Sequence, residues 1–252
     1  MSEIRSVWIV VPFSNNGSAL SDALYEYSKL WNDRSLHFVI VSDGNDDSTC
    51  DKVMEMAHDL GKVRLLKNSR DRGRGSASLK GILYSVKMSK KGDAIAILGP
   101  EKRFEISELE RMINALEHGK SDGILSRRYD WRKKPKTMMA SDYFFSFAYN
   151  KIANLLFGLD YTDIQSPAKI FRREAIDKVA NKIVIGGEGF DLNLAYEMKL
   201  AGVKLEEVYL RSEPGRRHVR YDIAMDTILD TFWYRLYRTD FYKSMRERMH
   251  DF

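Results

Sequence analysis

Short apolar runs that each end in a polar turn are the feature that most limits how this chain can fold. Residues 7–11 (V-W-I-V-V) end at Pro12, residues 38–41 (F-V-I-V) end at Ser42 and Asp43, and residues 94–98 (A-I-A-I-L) end at Gly99. Such runs are typical of strands that are buried on both faces. Helical spacing recurs between them, as in Leu20, Ala23, Leu24, Tyr27 and Trp31, or in Ile106, Leu109, Ile113 and Leu116. This alternation predicts an α/β fold, a Rossmann-like and mostly parallel sheet with helices on both faces.

The second half of the chain is less regular. Strands are predicted at 63–66, 123–125, 169–171 and 205–210, and a helix at about 189–201. An aromatic-rich helix that ends near Gly158 carries Phe145, Ala148, Ile152, Leu155 and Leu156 on one face. From Asp222 onward, helical spacing continues through Met225, Ile228, Leu229, Phe232 and Leu236. We expect one domain over residues 1–220 and an amphipathic helical tail over 221–252.

Composition excludes several classes of protein. The hydrophobic fraction of 44% over 252 residues supports a sizeable core, so global disorder is excluded. A single Cys excludes a disulfide framework and a cysteine-ligated zinc site. The net charge of +5 mixes both signs, and despite the basic segment 127–136 we expect no nucleic-acid partner. With no apolar stretch of about 18 residues and no signal peptide at Met1 to Arg5, we expect a cytoplasmic protein.

Three polar turns follow strands of the predicted sheet. They contain residues 12–16, Asp43, and the tripeptide Gly99-Pro100-Glu101. Ligands of open α/β sheets bind outside the carboxyl ends of the strands, so these turns share one crevice. Carboxylates there can accept a nucleobase N–H or ligate a hard cation that bridges a diphosphate. Each turn alone is typical of a helix cap, but their joint placement favours a ligand site.

Six segments, in the same order along the chain, resemble the inverting glycosyltransferases of family 2, which have the GT-A fold. The closest resemblance is to their dolichyl-phosphate mannose synthase-like branch. The matching segments are 10–16 (V-V-P-F-S-N-N beside V-I-P-x-Y-N-E), 39–49 (V-I-V-S-D-G-N-D-D-S-T beside I-V-V-D-D-G-S-x-D-x-T), 68–75 (N-S-R-D-R-G-R-G beside N-x-G-x-G), 126–129 (S-R-R-Y beside G-S-R-Y), 163–175 (D-I-Q-S-P-A-K-I-F-R-R-E-A beside D-x-Q-x-G-F-K-x-F-R-R-E-A) and 213–217 (E-P-G-R-R beside P-G-x-S-K). The likeness covers about residues 7 to 236.

The resemblance implies a role for each matching position. The donor, a GDP- or UDP-sugar, would be bound by Pro12, Phe13, Ser14, Asn16, Asp43, Arg74, Gly99 and Pro100. Of these, Asp43 would pair with the base and Arg74 would lie near the phosphates. Arg127 and Arg217 would hold an acceptor phosphate, because the Arg guanidinium presents a planar fork to phosphate oxygens.

The fourth predicted strand departs from the family pattern. The family holds Mg²⁺ or Mn²⁺ with an Asp-x-Asp motif, and Gly99-Pro100-Glu101 stands there, so only Glu101 supplies a carboxylate. Lys102 and Arg103 follow it, which weakens cation binding by charge alone. Three outcomes stay open: Glu101 still binds a metal, cationic side chains replace the metal, or transfer has been lost.

The acceptor implied by the branch is a polyprenyl (dolichyl) phosphate. A phosphate is already anionic and needs no strong general base. If the acceptor were a hydroxyl, Glu188 or Asp191 could serve as the base, although both also suit a helix N-terminus.

Aromatic and basic residues interleave after Phe232 in a way that suits the headgroup region of a bilayer, or packing on a second subunit. We therefore expect a membrane-peripheral enzyme at the cytoplasmic face, and a homodimer stays open. The alternative function is a catalytically degenerate relative that binds a nucleotide or a partner protein.

Overall fold

The computed structural model of the protein describes residues 3–13, 35–44, 50–51, 54–55, 62–68, 72–99, 106–128, 130, 139–211 and 221–237. Its strands are β1 Ser6–Phe13, β2 Ser35–Asp43, β3 Val63–Asn68, β4 Ala94–Leu98, β5 Gly123–Arg127, β6 Ala168–Arg172 and β7 Leu205–Tyr209. Its helices are α1 Arg74–Met88, α2 Ile106–His118, α3 Ala140–Phe157, α4 Arg173–Asp177, α5 Phe190–Leu200 and α6 Tyr221–Tyr237, with a 3₁₀ turn at Ala180–Lys182.

All seven described strands belong to one sheet, in the order β3-β2-β1-β4-β6-β5-β7. Strand β6 runs antiparallel to β4 and β5, and every other pairing is parallel. The predicted mostly parallel α/β sheet is confirmed. Because β6 is reversed, its first residues, Ala168 and Lys169, lie at the edge where the parallel strands end. That edge therefore carries the last residues of the parallel strands and the first residues of β6.

Apolar side chains fill both faces of the sheet. On one face, β1 and β4 pack beneath α2 through residues such as Ile9, Leu98 and Leu109. On the other face, Val10 and Ile97 belong to the cluster that packs against α1, α4 and α5. A third cluster joins α3, α5 and α6, with Phe157, Leu192 and Tyr234 at its centre. Helix α6 is thus attached to the end of the domain that carries α3 and α5.

Most predicted elements are present, with boundaries that differ by a few residues. The predicted strands at 7–11 and 38–41 extend to Ser6–Phe13 and Ser35–Asp43 because their flanking residues also join the β1–β2 and β2–β3 ladders. The predicted helix from Leu20 to Trp31 lies outside the described residues. None of the described helices combines the length and the apolar character that a membrane span needs.

Candidate active site at the carboxyl edge of the sheet

The ends of β1, β2 and β4 bring three predicted site segments to one edge of the sheet. Phe13 is in register with Ser42, so Pro12 and Asp43 lie at neighbouring strand ends. Gly99 follows β4, and its backbone N–H donates to the Pro167 carbonyl, 3.1 Å away, just before β6. The edge therefore joins β2, β1, β4 and β6 in one row, as the crevice prediction requires.

Asp43 is held in a fixed orientation by three other residues. The carboxylate is 5% exposed, and its Oδ1 accepts hydrogen bonds from Asn68 Nδ2 at 2.9 Å and from the Arg72 backbone N–H at 3.1 Å. The side-chain Oδ1 of Asn68 in turn accepts from Lys80 Nζ at 3.0 Å. Because both bonds to Asp43 end on Oδ1, this relay fixes the direction of Oδ2. The sequence showed Asn68 only as a motif letter and gave no sign of Lys80.

Helix α1 begins at this edge with a tight glycine turn. Gly73 has φ of 87°, a value that L side chains rarely adopt. The first turn contains no acidic residue, and Arg74, its first residue, is half-buried. The Ser76 backbone N–H donates to the Gly186 carbonyl at 2.7 Å, so the loop before α5 lies directly against this turn. The remaining N–H groups of the first turn and the Arg74 guanidinium make this helix end suitable for anion binding.

A buried ion pair lies behind the same edge. Lys169 Nζ is 3.0 Å from Asp191 Oδ1, and the side chains are 2% and 9% exposed. The ammonium also donates to the Ser166 carbonyl. Burial lowers the pKa of Lys169, Asp191 opposes that shift, and the nearby charge of Arg74 adds to it. The sequence showed Lys169 only as a motif letter and gave no sign that it is buried and paired, a rare state for Lys.

Two adjacent arginines at the end of β5 have different surroundings. Arg128 binds Asp163 through Nε and Nη2, both at 2.8 Å, and its backbone N–H also donates to this fully buried carboxylate. The Arg127 guanidinium lies 5.4 Å from the centre of the Tyr209 ring, a cation–π arrangement. Among the described residues Arg127 forms no ion pair, unlike Arg128 beside it.

The remaining predicted site residues divide into two groups. Ser14, Asn16, Pro100, Glu101 and Arg217 lie outside the described residues. Phe13 is described and packs into the core cluster beneath α2. In the described ranges no three or more His, Cys, Asp or Glu side chains are grouped to hold a metal ion. The roles predicted for all of these residues stay predictions.

Comparison with known proteins agrees with this architecture. The family profile described as Glycosyl transferase family 2 matches residues 8–180. Similar solved structures include glucosyl-3-phosphoglycerate synthase from Mycobacterium tuberculosis in complex with Mn²⁺, uridine diphosphate and glucosyl-3-phosphoglycerate, with 14% identity and a TM-score of 0.69. That alignment covers 94% of this chain and 81% of the other.

The same synthase with Mn²⁺ and uridine-diphosphate-glucose gives a TM-score of 0.67 at 14% identity, covering 94% of this chain and 80% of the other. A third structure, with Mg²⁺ and uridine diphosphate, gives 0.65 at 14% identity, covering 94% and 81%. At this identity the likeness shows the fold, which is the expected GT-A type.

Proposed function

Because this chain belongs to glycosyl transferase family 2, we propose that it transfers a sugar from a nucleoside-diphosphate sugar to a polyprenyl phosphate, with inversion at the anomeric carbon. The membrane-embedded acceptor makes it a peripheral enzyme of the cytoplasmic face. The donor is a UDP- or GDP-sugar, since uracil and guanine both carry a ring N–H that the Asp43 carboxylate can accept. We assign that contact to Oδ2, because Asn68 and Arg72 already bond Oδ1.

The observation that supports a phosphate acceptor is the state of the buried carboxylates at the site. Asp43 accepts from Asn68 and Arg72, Asp163 binds Arg128, and Asp191 is paired with Lys169. A general base must take a proton, and hydrogen-bond donors or a cation beside a carboxylate stabilise its ionised form, which makes it a weaker base for that step. A phosphate oxygen is already anionic and attacks without a base. Glu188 is the half-buried carboxylate that a hydroxyl acceptor would need instead.

The reaction then requires orientation and charge stabilisation. An acceptor phosphate oxygen forms a bond to the anomeric carbon from the face opposite the diphosphate. The bond between that carbon and the diphosphate oxygen breaks, and its electron pair leaves with the nucleoside diphosphate. Arg74 and the N-terminus of α1 stabilise the charge that develops on this leaving group. Arg127, supported by the Tyr209 ring, holds the acceptor phosphate, with Arg217 as the second cation that the sequence predicts.

Glu101 would hold Mg²⁺ or Mn²⁺, and the cation would neutralise the diphosphate when bound. Glu101 lies outside the described residues, so this assignment comes from the sequence. Replacing Glu101 by Ala tests whether a metal ion or arginine side chains neutralise the diphosphate. A metal-dependent enzyme loses turnover and Mn²⁺ stimulation together, whereas an arginine-dependent enzyme keeps turnover in the presence of a chelator.

The test is a turnover assay on the full chain with UDP-glucose or GDP-mannose as donor. One set of reactions receives a short-chain polyprenyl phosphate and another receives phosphoglyceric acid, which is bound in a similar structure. We expect nucleoside diphosphate release with the prenyl phosphate and unchanged kcat in Glu188→Gln. Turnover with phosphoglyceric acid alone, or loss of turnover in Glu188→Gln, would contradict the proposed acceptor.

The second candidate function is nucleotide binding without transfer. It is favoured by Gly99, which stands where the family has the first Asp of its metal motif. Calorimetric binding of UDP or GDP by a preparation that fails to turn over any donor and acceptor pair would support it. Multiple turnover would eliminate it.

Replacing Asn68 by Ala is expected to weaken nucleoside diphosphate binding by about tenfold, the effect of losing roughly 1.4 kcal/mol. The substitution removes one of the two bonds to Asp43 Oδ1 and one of the two acceptors of Lys80, which keeps the Lys67 carbonyl, so the carboxylate loses its fixed orientation. Isothermal titration with UDP and GDP measures the change. Lys62→Ala is the control, because Lys62 donates to Ser35 at the opposite end of β2. Equal effects of the two variants would show that the relay does not act on the nucleotide.

A further inference from the structure

Helix α3 is partly reversed: it buries the polar Asp142 and Asn150 beside the apolar Ala153 and Phe157, and it exposes several apolar side chains. Asp142 and Asn150 point inward and are buried, whereas Phe144, Ile152 and Leu155 point outward, with Leu155 84% exposed. The inward amide is used, since Asn150 accepts from the Ile164 N–H at 2.8 Å and donates to the Ser146 carbonyl. A helix on a water-facing surface normally shows the opposite arrangement. The outer face of α3 is therefore built to contact something other than water.

Helix α6 is reversed in the same way. Thr227, Thr231 and Tyr234 face inward and are buried, and the Tyr234 hydroxyl donates to the buried Glu197 of α5. Phe232 and Trp233 face outward and are 53% and 60% exposed. The reversal in a second helix indicates that the arrangement belongs to the fold and not to one irregular helix.

The two reversed helices are neighbours. Helix α3 contacts α6, and the rings of Phe157 and Tyr234 stack with centroids 6.0 Å apart. We call the exposed residues Phe144, Phe145, Ile152 and Leu155 of α3, together with Phe232 and Trp233 of α6, the α3–α6 outer face. Grouped apolar side chains on a surface typically mark protein or membrane contact sites, whereas single scattered ones do not.

Charge around the outer face favours an anionic partner. Lys151 of α3 and Arg235 of α6 are exposed on these helices, against the exposed Asp226. In the sequence, residues 131–136 (W-R-K-K-P-K) supply four cations and no acid before α3. Arg238, Lys243, Arg246 and Arg248 follow α6, with acids only at Asp240, Glu247 and Asp251. Aromatic and aliphatic side chains beside cations are the composition of surfaces that lie on anionic bilayers.

We infer that the α3–α6 outer face docks this protein onto an anionic lipid bilayer. A second copy of the chain fits less well, since a two-fold interface applies the same surface to itself and would bring Lys151 and Arg235 of both copies together. A bilayer complements the apolar face with its acyl boundary and the cations with its headgroups. Contact with the headgroups and the acyl boundary needs no membrane-spanning segment.

The inner side of α6 connects this face to the candidate active site. The Asp230 carboxylate accepts a hydrogen bond from the Gly189 backbone, at the start of α5. A Cβ atom added to Gly187 would lie 3.1 Å from Asp230 Oδ2, so α6 lies directly on the loop beside Asp191. Docking therefore places the catalytic edge near the membrane surface. This link to catalysis rests on the proposed lipid acceptor, whereas the docking itself does not.

The test measures the full chain bound to sedimenting vesicles of phosphatidylcholine with 30% phosphatidylserine. We expect the double variant Leu155→Glu/Trp233→Glu to reduce the bound fraction at least tenfold, and 0.5 M salt or pure phosphatidylcholine to reduce binding of the unaltered chain severalfold. Met88→Glu is the matched control, because Met88 is a comparably exposed residue on α1, outside this face. Circular dichroism verifies that every variant is folded.

Three results would overturn the inference. They are no vesicle binding by the unaltered chain, equal binding by the double variant and Met88→Glu, or a dimer in light scattering that only the double variant dissociates. Turnover of a water-soluble short-chain prenyl phosphate without vesicles is measured in parallel. If that turnover is missing in every variant while vesicle binding follows the expected pattern, the proposed transfer fails and the docking surface stands.

Discussion

Replacing Lys169 by Met is expected to lower the free energy of unfolding by about 3–5 kcal/mol. The side chain of Met fills a similar volume but leaves Asp191 as an uncompensated buried charge, and the Ser166 carbonyl loses its donor. Urea denaturation followed by fluorescence measures the change. Because the Lys169–Asp191 pair lies directly behind the carboxyl edge of the sheet, where the candidate active site is, we expect kcat to fall as well. This should hold even under conditions where the variant is fully folded.

A matched pair of carboxamide substitutions separates a buried from an exposed ion pair. Asp191→Asn removes the partner of Lys169, and Asp177→Asn removes the partner of Arg173, which lies 2.9 Å away on the exposed side of α4. We expect a cost of about 3 kcal/mol or more for the first and less than about 1 kcal/mol for the second. The double variant Lys169→Met/Asp191→Leu is expected to recover most of the loss, since it leaves no buried charge. If the single and double variants are equally unstable, the loss comes from packing and not from the ion pair.

The pH dependence of stability gives an independent readout of Lys169. Burial lowers its pKa in the folded protein below the unfolded value of 10.5, so the unfolded chain binds more protons between those two values. The free energy of unfolding therefore rises with pH over that interval in the unaltered protein, and Lys169→Met lacks this rise. The series stops at pH 10, because burial raises the pKa of Tyr149 above 10.0 and this reverses the trend at higher pH.

The sequence predicted the sheet well because its central strands have only one plausible environment. Residues 94–98 contain no polar side chain and were predicted with the observed limits of β4. Strand β6 shows where such reasoning stops. Residues 169–171 are predicted as a strand by their composition, but the antiparallel direction depends on how 139–167 cross the sheet. The antiparallel direction of β6 brings Lys169 to the carboxyl edge of the sheet. No local pattern in the sequence predicts that direction.

Helices α3 and α6 show that the helical spacing of apolar residues does not tell whether their side of the helix is buried. The helical spacing of Phe145, Ile152 and Leu155, and of Met225, Leu229 and Phe232, is present in the structure as predicted. These residues nevertheless face outward, although apolar stripes usually face the core. Hydrophobic periodicity reports only that one face avoids water, and a bilayer or partner satisfies that requirement as well as a core does.

The candidate site was predicted only in outline, for a similar reason. Asp43, Arg74 and Gly99 follow strands or open a helix, so their common edge could be deduced from the order of elements. The bonds that orient them could not. Lys80 reaches Asn68 from the second turn of α1, and Asp163 meets Arg128 across 35 residues of sequence. Such contacts depend on tertiary distances, and neither propensity nor spacing encodes them.

Replacing Gly75 by Ala is the second substitution for which we expect a large effect. A Cβ atom at this position would lie 2.5 Å from the Phe190 Cβ, 2.6 Å from the Gly187 carbonyl oxygen and 2.7 Å from the Gly186 carbonyl oxygen. Two of these neighbours are backbone atoms, so no side-chain rotation relieves the contact. The first turn of α1 must move away from the loop before α5, which breaks the bond between the Ser76 N–H and the Gly186 carbonyl.

We expect Gly75→Ala to lower the free energy of unfolding by about 1–3 kcal/mol, the usual cost of overpacking, and to weaken nucleoside diphosphate binding at least tenfold. Gly99→Ala is the control for stability, because within the described part of the chain its added Cβ would meet only the Pro167 carbonyl oxygen, at 3.9 Å. The two effects have one cause, since the turn that clashes also carries Arg74 and the backbone N–H groups assigned to the diphosphate. A variant that is destabilised but still binds nucleotide with full affinity would show that the start of α1 is a packing element only. The diphosphate would then have to be held by residues elsewhere on the edge.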